Sequence, residues 1–452
     1  MAINPNGMGQ VLLFPYFTVN KHQQTLLNVS NNSGHGKAIQ IAFREAYNGR
    51  YVYLRDVFLG PSQTWAATVF ALDDAGESSS GAGIASSSEA CSQTLSTMAS
   101  GTTPGGLHYD KFDNQHYFGS EADTGPTTDS RQREGYIEVI ELGTVVGDTQ
   151  KAITPSQNPD GPVCTTVVPT ISAIADFANP SGDLAGNAAI VDVTQGTYYD
   201  VGPTAIEGFR KQFVMPPAVT DLSAAGDTTT ANVNASVLIN GNYTTLSFPK
   251  SRAIDAMSAL FMSSRLYGEF NSSNSAGAST DWILTFPTKH YYVDHGGIDP
   301  APFTESFGKT AGGSKINFAY AMFDRNGFDA YTNWCGFGEC PPQPNFFKTE
   351  TQTISFSKTN TDLNSTISNV FGSAVSSMLP VAGEVAGSAE ISFQDFNLNE
   401  SNEGAFLIGL PAIGMQAINY VNTSVTPGVL ANYSGTARLR SQVDCVTGSS
   451  CE

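Results

Sequence analysis

Six cysteines are the residues of this sequence with the best-defined chemistry. They stand at Cys91, Cys164, Cys335, Cys340, Cys445 and Cys451. The last four would close two short loops, and the glycines within each loop allow two Cα atoms to approach to disulfide distance. Loop closure therefore predicts the pairs 335–340 and 445–451 and leaves 91–164 by exclusion. Two alternatives stay open: free buried thiols, and a zinc site, which the five-residue gap after Cys445 disfavours.

Oxygen ligands suited to calcium are grouped in one short segment. Asp324, Asn326 and Asp329 lie around a glycine, as at the start of an oxygen-ligand loop. An EF-hand loop requires an oxygen donor at its fifth position and glycine at its sixth, where this segment has Phe328 and Asp329. The pattern therefore favours an Asn-Gly turn between two strands. Calcium is the single candidate cofactor, and no other metal site is predicted.

Aromatic residues in polar, turn-rich segments suggest a surface for carbohydrates. Sugar rings stack on aromatic faces while polar side chains bind their hydroxyl groups. A predicted disulfide loop would hold Trp334 and Phe337 rigid. The candidate glycan-binding residues are Tyr109, Tyr117, Tyr331, Trp334 and Phe337. The alternative, favoured because aromatic residues dominate ordinary cores, is that these side chains cap the ends of the hydrophobic core.

The sequence assigns no catalytic residue. It contains neither a Gly-x-Ser-x-Gly nucleophile elbow nor a His-Glu-x-x-His zinc helix. Its six histidines are scattered, mostly in turn-like segments. A secreted polysaccharide hydrolase remains the third hypothesis, because it would need only two carboxylates close together in one cleft. An enzymatic role is less favoured than a non-enzymatic one.

The charge balance disfavours several classes of partner. The chain has 452 residues, 41 acidic and 22 basic, so its formal net charge is −19. Only 14% of its residues are charged, against roughly 25% in an ordinary soluble domain. Nucleic-acid binding needs clustered cations, and anionic membrane surfaces attract basic segments, so neither partner is expected. No apolar run reaches the roughly 20 residues that a membrane-spanning helix needs.

The secondary structure predicted from the sequence, which must position the candidate residues, consists mainly of β-strands. Short runs rich in β-branched and aromatic residues alternate with Asn, Gly and Ser, which is typical of β-sandwiches. The clearest hairpin has its turn at Asn240-Gly241, because this dipeptide suits a type I′ turn. Helical spacing of apolar residues predicts short helices at 171–177, 254–261 and 367–378. Residues 291–293 are predicted as a strand, and the Ser/Gly-rich residues 73–106 as a long loop.

The N-terminal strand, residues 11–19, is strongly apolar but interrupted by Pro15. Proline cannot donate a ladder hydrogen bond, so the strand is predicted at a sheet edge or at a bulge. An edge strand of this kind is a candidate for adding to the sheet of a neighbouring molecule. An ordinary first strand of the chain's own sheet is the alternative.

Four segments of the sequence stand out as strings: Gly-Gln-Val-Leu-Leu-Phe-Pro-Tyr at residues 9–16, and residues 133–143, 280–289 and 409–414. They resemble blocks of a family of uncharacterised secreted proteobacterial β-rich proteins. The resemblance spans most of the chain and implies export. It implies that Met1 either starts the expressed chain or follows a signal-peptide cleavage site, and it supplies no functional residues.

Together these patterns predict an all-β or β-dominated protein, an antiparallel β-sandwich that is one large unit or two packed ones, with long loops and a few short helices. Residues 1–300 are expected to form the main sandwich, and 301–452 a further β region that either completes the same sandwich or packs beside it. The predicted location is extracellular or at the cell surface. The predicted role is a structural protein of a surface, matrix or filament that self-associates or binds other surface proteins. Glycan binding is the second hypothesis.

Overall fold

The fold is described from a computed structural model of the chain. The residues that the structure describes are 1–95, 99–103, 106–158, 160–164, 176–294, 301–310, 312–330, 346–357, 367–381, 385–422, 429 and 431–446. Within these ranges strands dominate and helices are few and short, which confirms the predicted β-rich class.

The described residues up to 249 contribute seventeen strands. They are β1 Ala2–Ile3, β2 Val11–Thr18, β3 Gln24–Asn31, β4 Gly36–Glu45, β5 Tyr51–Leu59, β6 Thr64–Ala71, β7 Ala82–Ala85, β8 Cys91–Thr94, β9 Ser100–Thr102, β10 His108–Lys111, β11 Glu134–Val145, β12 Phe177–Ala178, β13 Leu184–Asp192, β14 Thr197–Val201, β15 Thr204–Glu207, β16 Asn232–Ile239 and β17 Asn242–Pro249.

The described residues from 262 onward contribute fifteen more. They are β18 Met262–Ser263, β19 Arg265–Asn271, β20 Ala278–Thr285, β21 Ile316–Asn317, β22 Ala319–Asp324, β23 Phe346–Phe347, β24 Thr351–Ser357, β25 Ser376–Pro380, β26 Ala386–Ser392, β27 Phe406–Ile408, β28 Leu410–Pro411, β29 Ile413–Tyr420, β30 Tyr433–Arg438, β31 Arg440–Gln442 and β32 Asp444–Val446. The α-helices of the described ranges are α1 Gly147–Ile153, α2 Ala253–Ala259 and α3 Lys289–Val293.

Two sheets from the N-terminal half pack face to face as the first sandwich. Sheet 1 has the order β17-β16-β1-β15-β2-β11-β4-β5-β8 with β12 beside β11, and sheet 2 has the order β14-β13-β3-β6-β7-β10-β9. Inward side chains of β2, β4 and β11 meet those of β3, β6 and β13 in one apolar core. The outer face of sheet 1 is also buried: α2 packs on it, and side chains of the hairpin β16–β17 at the end of the same sheet join this second core. Both faces of β2 are therefore buried.

The second sandwich is built from strands on both sides of residue 300. Sheet 3 has the order β22-β26-β19-β31, and sheet 4 has the order β25-β24-β20-β29-β30. Their facing side chains, with Trp282 and Phe356 near the centre, form a separate core. Strands β19 and β20 thus precede residue 300 but pair with strands that follow it. Strand pairing crosses the position at which the sequence predicts a domain boundary.

The two sandwiches meet along a seam where an edge of sheet 2 faces an edge of sheet 4. Hydroxyl groups of β30 join it to β14. Tyr198 N donates to Ser434 Oγ (2.9 Å), Ser434 Oγ donates to Tyr198 O (2.8 Å), and Thr436 Oγ1 donates to Asp200 O (2.9 Å). Side chains therefore satisfy backbone groups that a neighbouring strand would otherwise pair.

Strand β2 lies inside sheet 1 and not at its edge, because β11 pairs with one side of it and β15 with the other. The edge alternative for this strand is therefore wrong. Pairing with β15 covers Val11 to Leu13 alone, and the β11 register shifts between Gly135 and Ile137, opposite Pro15. The bulge alternative is confirmed, because the missing N–H of Pro15 falls where the ladder is interrupted.

Local sequence chemistry identified some elements correctly. The hairpin β16–β17 turns at Asn240 (φ 49°) and Gly241 (φ 85°), both in the left-handed region that a type I′ turn requires. Helix α2 lies within the predicted segment 254–261, apart from its first residue. The predicted helix 171–177 lies largely outside the described residues.

Three local predictions are wrong, each because tertiary contacts decide the conformation. Residues 367–375 form turns and 376–380 form β25, since Gly372 has a positive φ (67°) and the apolar side chains enter two different cores. Residues 291–293 belong to α3, because their side chains reach partners on different sides of the segment. The small residues of 73–106 include β7, β8 and β9, where Gly83 allows close packing against Leu72.

One disulfide in the described structure joins Cys91 on β8 to Cys164, with Cα atoms 5.1 Å apart. It confirms the pair that the sequence predicts by exclusion. Cys445 is disulfide-bonded as well. Cys335, Cys340 and Cys451 lie outside the described residues, so the pairs 335–340 and 445–451 stay predictions.

No helix in the described parts of the chain has the length and apolar character needed to cross a membrane.

Candidate functional site

The aromatic residues predicted to bind glycans do not form one site in the described structure. Tyr331, Trp334 and Phe337 lie outside the described residues and stay predictions. Tyr109 is 3% exposed, packs edge-on against Phe70 and donates its hydroxyl to Glu77. Tyr117 is 1% exposed and lies under the Arg131 guanidinium, 4.4 Å from its ring centroid. Neither tyrosine offers a free ring face, so assigning them to a glycan surface is wrong.

The residues predicted to bind calcium form a turn. Asp324 Oδ1 accepts hydrogen bonds from Asn326 N (2.8 Å) and Phe328 N (2.9 Å), and Gly327 has a φ of 81°. Asp329 lies across the turn from Phe323. Asp324 Oδ1, one of the oxygens predicted to bind calcium, therefore stabilises the turn itself. Across the described ranges, no three His, Cys, Asp or Glu side chains are grouped closely enough to hold a metal ion.

A large cleft lies between the two sandwiches, with a volume of about 730 Å³. We call it the inter-sandwich cleft. One wall is the hairpin β16–β17 with β1, and the other is formed by β18, β19, β29, β30 and β31. Its lining includes Ile3, Ser236, Leu238, Asn240, Tyr243, Phe261, Met262, Leu266, Tyr267, Ile413, Arg438, Ser441 and Gln442.

Two tyrosine rings belong to the walls of this cleft. Tyr243 on β17 is 65% exposed and pairs across the hairpin with Leu238, which is 50% exposed. Tyr267 on the opposite wall is half-buried, and its hydroxyl donates to Gln442 Oε1 (3.1 Å). Gln442 Nε2 in turn donates to Asp444 Oδ1 (2.8 Å). The ring of Tyr267 is thus held by a short hydrogen-bond chain, while that of Tyr243 stands free.

The inter-sandwich cleft carries little charge although the chain as a whole is strongly acidic. Among the described residues that line it, Arg438 is the one ionised side chain, and its guanidinium donates to the carbonyl of Pro203. No Asp or Glu belongs to the described lining. The cleft therefore combines aromatic and aliphatic surface with amide and hydroxyl groups, without a pair of carboxylates for acid–base chemistry.

A buried network of ionised side chains surrounds the β4–β5 turn, at the junction of the two sandwiches. Arg131 Nε lies 2.9 Å from Glu45 Oε2, and its NH1 and NH2 bind both carboxylate oxygens of Asp123 at 2.8 and 2.7 Å. Arg50 binds both carboxylate oxygens of Asp294 at 2.6 and 3.0 Å. Although burial opposes it, the two carboxylates raise the pKa of Arg131, and the guanidinium holds the pKa of Asp123 below its usual value despite its burial.

The same turn connects the two sandwiches. Glu350 N donates to the carbonyls of Ala46 and Tyr47, at 2.9 and 3.0 Å. The Glu350 carboxylate accepts from the hydroxyl of Tyr136 (2.7 Å) and lies 2.7 Å from His290 Nδ1. Because these groups are buried and tightly hydrogen-bonded, we assign them to the structure of the junction and not to ligand binding.

Asp56 is a buried carboxyl with a testable titration. Burial raises its pKa to about 6, against the hydrogen bond from Gln40 Nε2 (2.9 Å), and Asp56 Oδ2 accepts no hydrogen bond from the described residues. The folded state therefore keeps a proton that the unfolded chain releases near its ordinary value of 3.8. Fewer protons are bound in the unfolded state in this window, so the free energy of unfolding falls as pH rises from about 4 to about 6.

We expect Asp56→Asn to remove about 3 kcal/mol of this fall, measured as the wild-type-minus-variant difference in urea unfolding across that pH range. Other buried carboxyls contribute to both proteins equally and cancel in the difference. Asp148→Asn, at a carboxylate that is 92% exposed, is the control and should leave the profile unchanged. A flat difference profile for Asp56→Asn would contradict the assignment.

No family model, curated protein or solved structure matches this chain. The resemblance to secreted proteobacterial proteins accordingly stays a prediction.

The sequence did not single out the residues of the inter-sandwich cleft. Tyr243 directly follows the Asn240-Gly241-Asn242 turn, and it falls on the outward face of a strand whose inward face carries Leu246 and Phe248. The alternation of inward and outward side chains along this strand could have predicted that Tyr243 is exposed. The opposite wall comes from residues beyond 260, and sequence alone does not show which strands it faces.

Proposed function

We propose that the protein binds a neutral carbohydrate chain in the inter-sandwich cleft and does not transform it. The observation that carries this proposal is the pair of tyrosines, Tyr243 and Tyr267, on the two walls of a nearly uncharged cleft. Tyrosine faces provide stacking surfaces for the apolar face of a sugar ring. The amide and hydroxyl groups of Asn240, Ser441 and Gln442 are suited to bind its hydroxyl groups.

Charge supports a neutral ligand. A chain of net charge −19 repels anionic ligands at long range, and the described lining has no carboxylate that would attract a cation. The apolar floor, which includes Phe261, Met262 and Leu266, suits a ligand with both apolar and polar faces. Sugars have this character. The lack of a carboxylate pair in the described lining supports binding over glycoside hydrolysis.

Tyr243→Ala is expected to weaken binding of the best glycan at least tenfold, because a stacked ring contributes about 0.5–1.5 kcal/mol beyond its buried area. A glycan array with the wild-type protein would select the ligand, and calorimetry would give the Kd. Tyr433→Ala is the matched control, since Tyr433 is also 65% exposed but lies outside the cleft lining. If the array shows no ligand, or if both variants bind equally well, the proposal is wrong.

The described geometry gives no support to assembly by donation of the N-terminal strand. Strand β11 pairs along one edge of β2, β15 pairs with residues 11–13 of the other, and all eight residues of β2 are buried. A form lacking residues 1–20 would lose an interior strand of sheet 1, so its failure to assemble would report misfolding. The structural role and the extracellular location stay predictions.

A further inference from the structure

A second cleft opens at the other end of the seam between the sandwiches, with a volume of about 490 Å³. The inter-sandwich cleft includes Ile413 at the start of β29, whereas this cleft includes Asn419 at the end of the same strand. We call it the amide cleft, because four carboxamide side chains line it. They belong to Gln23, Gln195, Asn369 and Asn419.

The charged groups of the amide cleft are already bound within the chain. Lys21 Nζ donates to the carbonyls of Asn369 (2.7 Å) and Ser368 (3.4 Å). Asp192 is 6% exposed, and its Oδ1 accepts from Gln195 N (2.8 Å). The imidazole of His22 lies with Nδ1 2.5 Å from Asp74 Oδ1. A ligand would therefore meet mainly neutral amide and hydroxyl groups.

Two buried oxygen atoms, on residues that line this cleft, accept no hydrogen bond from the described residues. They are Gln23 Oε1 and Asn419 Oδ1. Gln23 is only 2% exposed, and its amide orientation is fixed because Nε2 donates to Val370 O (3.1 Å). Buried polar atoms in native proteins nearly always have a partner, from the protein, from water or from a ligand. Because two such acceptors occur on residues that line one cleft, we expect a molecule that enters the cleft to donate hydrogen bonds to them.

The backbone beside these atoms is held in an unfavourable conformation. Lys21 (φ 52°) and His22 (φ 59°) are consecutive residues in the left-handed region, which side chains with a Cβ rarely adopt. Such residues concentrate at ligand-binding and active sites, where surrounding contacts hold them in place. Lys21 and His22 directly precede Gln23, which lines the cleft.

We propose that the amide cleft binds a small, uncharged, polyhydroxylated ligand, a polyol or a single sugar ring, whose hydroxyl groups donate to Gln23 Oε1 and Asn419 Oδ1. Hydroxyl groups both donate and accept, so they match a wall that also contains the hydroxyls of Thr194 and Thr197. The volume lies within the range of small-molecule sites, about 300–1,000 Å³. It greatly exceeds the roughly 30 Å³ that one water molecule occupies. The proposal does not depend on a ligand in the inter-sandwich cleft.

The test is a calorimetric titration of the full chain with glycerol, xylitol, glucose and galactose. We expect at least one of them to bind, and Asn419→Ala to raise its Kd at least tenfold. Thr194→Trp should abolish binding, because it places a large ring at the exposed rim without altering either buried oxygen. Phe328→Ala, at an exposed residue that lines neither cleft, is the control and should leave this Kd unchanged.

Three results would overturn the proposal. One is the absence of binding by all four compounds to the wild-type protein. Another is an unchanged Kd in Thr194→Trp, whose exposed position keeps the test valid even if Asn419→Ala fails to fold. The third is a crystal structure grown in a high concentration of the polyol that shows only ordered water next to Gln23 Oε1 and Asn419 Oδ1.

Discussion

Arg131→Met is expected to lower the free energy of unfolding by about 3–5 kcal/mol, because it leaves two buried carboxylates without their shared cation. The side chains of Arg131 and Glu45 are 0% exposed, and that of Asp123 is 3% exposed. Methionine fills a similar volume, so the loss would come from charge and hydrogen bonds and not from a cavity. Urea unfolding followed by tryptophan fluorescence would measure it.

The matched control is Lys151→Met, which removes a cation from an exposed pair. Lys151 and Asp148 are 68% and 92% exposed, and such pairs contribute about 0–1 kcal/mol. The deficit of Arg131→Met should also shrink at acidic pH, since protonation relieves the uncompensated carboxylates. Equal stability of the two variants would show that the network does not hold the junction together.

Phe371→Ala is expected to cost about 3–5 kcal/mol, which is typical of a fully buried phenylalanine removed from a core. Phe371 belongs to the segment before β25 in the second half of the chain, but its ring enters the core of the first sandwich. Its centroid lies 5.3 Å from that of Tyr16 and 5.0 Å from that of Tyr199. Asp281 Oδ2 fixes the backbone by accepting from Phe371 N (3.0 Å).

Thermal and urea unfolding would measure this loss, with Phe328→Ala as the control of the same residue type. Phe328 is 70% exposed, so its removal should change stability by no more than about 0.5 kcal/mol. Trp65 and Trp282 are buried in the first and second sandwich, respectively. If the variant exposes one of these tryptophans to solvent while the other stays buried, the two sandwiches unfold separately. If Phe371→Ala proves as mild as Phe328→Ala, the ring does not link them.

Elements whose conformation depends on neighbouring residues along the chain could be predicted from the sequence. The turn at Asn240-Gly241 requires left-handed angles that the two residues adopt readily, so the hairpin was predictable without knowledge of its neighbours. The segment around Phe371 has helical spacing, but its conformation depends on a partner carboxylate, Asp281, that lies 90 residues away. Pairing over such distances leaves no pattern in a single sequence.

In the candidate site, too, local features could be predicted from the sequence, whereas features that depend on distant residues could not. Aromatic residues near turns were recognisable, but the sequence does not distinguish a buried ring such as Tyr117 from an exposed one such as Tyr243. Both occur among polar residues. What separates them is the cation placed over Tyr117 and the cleft opposite Tyr243, and both features arise only when distant strands meet.

The seam between β14 and β30 has a consequence for the behaviour of the protein at high concentration. An open strand edge is a template on which other molecules can aggregate. Here the hydroxyls of Ser434 and Thr436 on β30 bind backbone groups of Tyr198 and Asp200, so these groups on the edge of β14 are occupied although no continuous ladder joins the two strands. We therefore expect these two hydroxyl side chains to limit edge-to-edge association at the point where the two sandwiches meet.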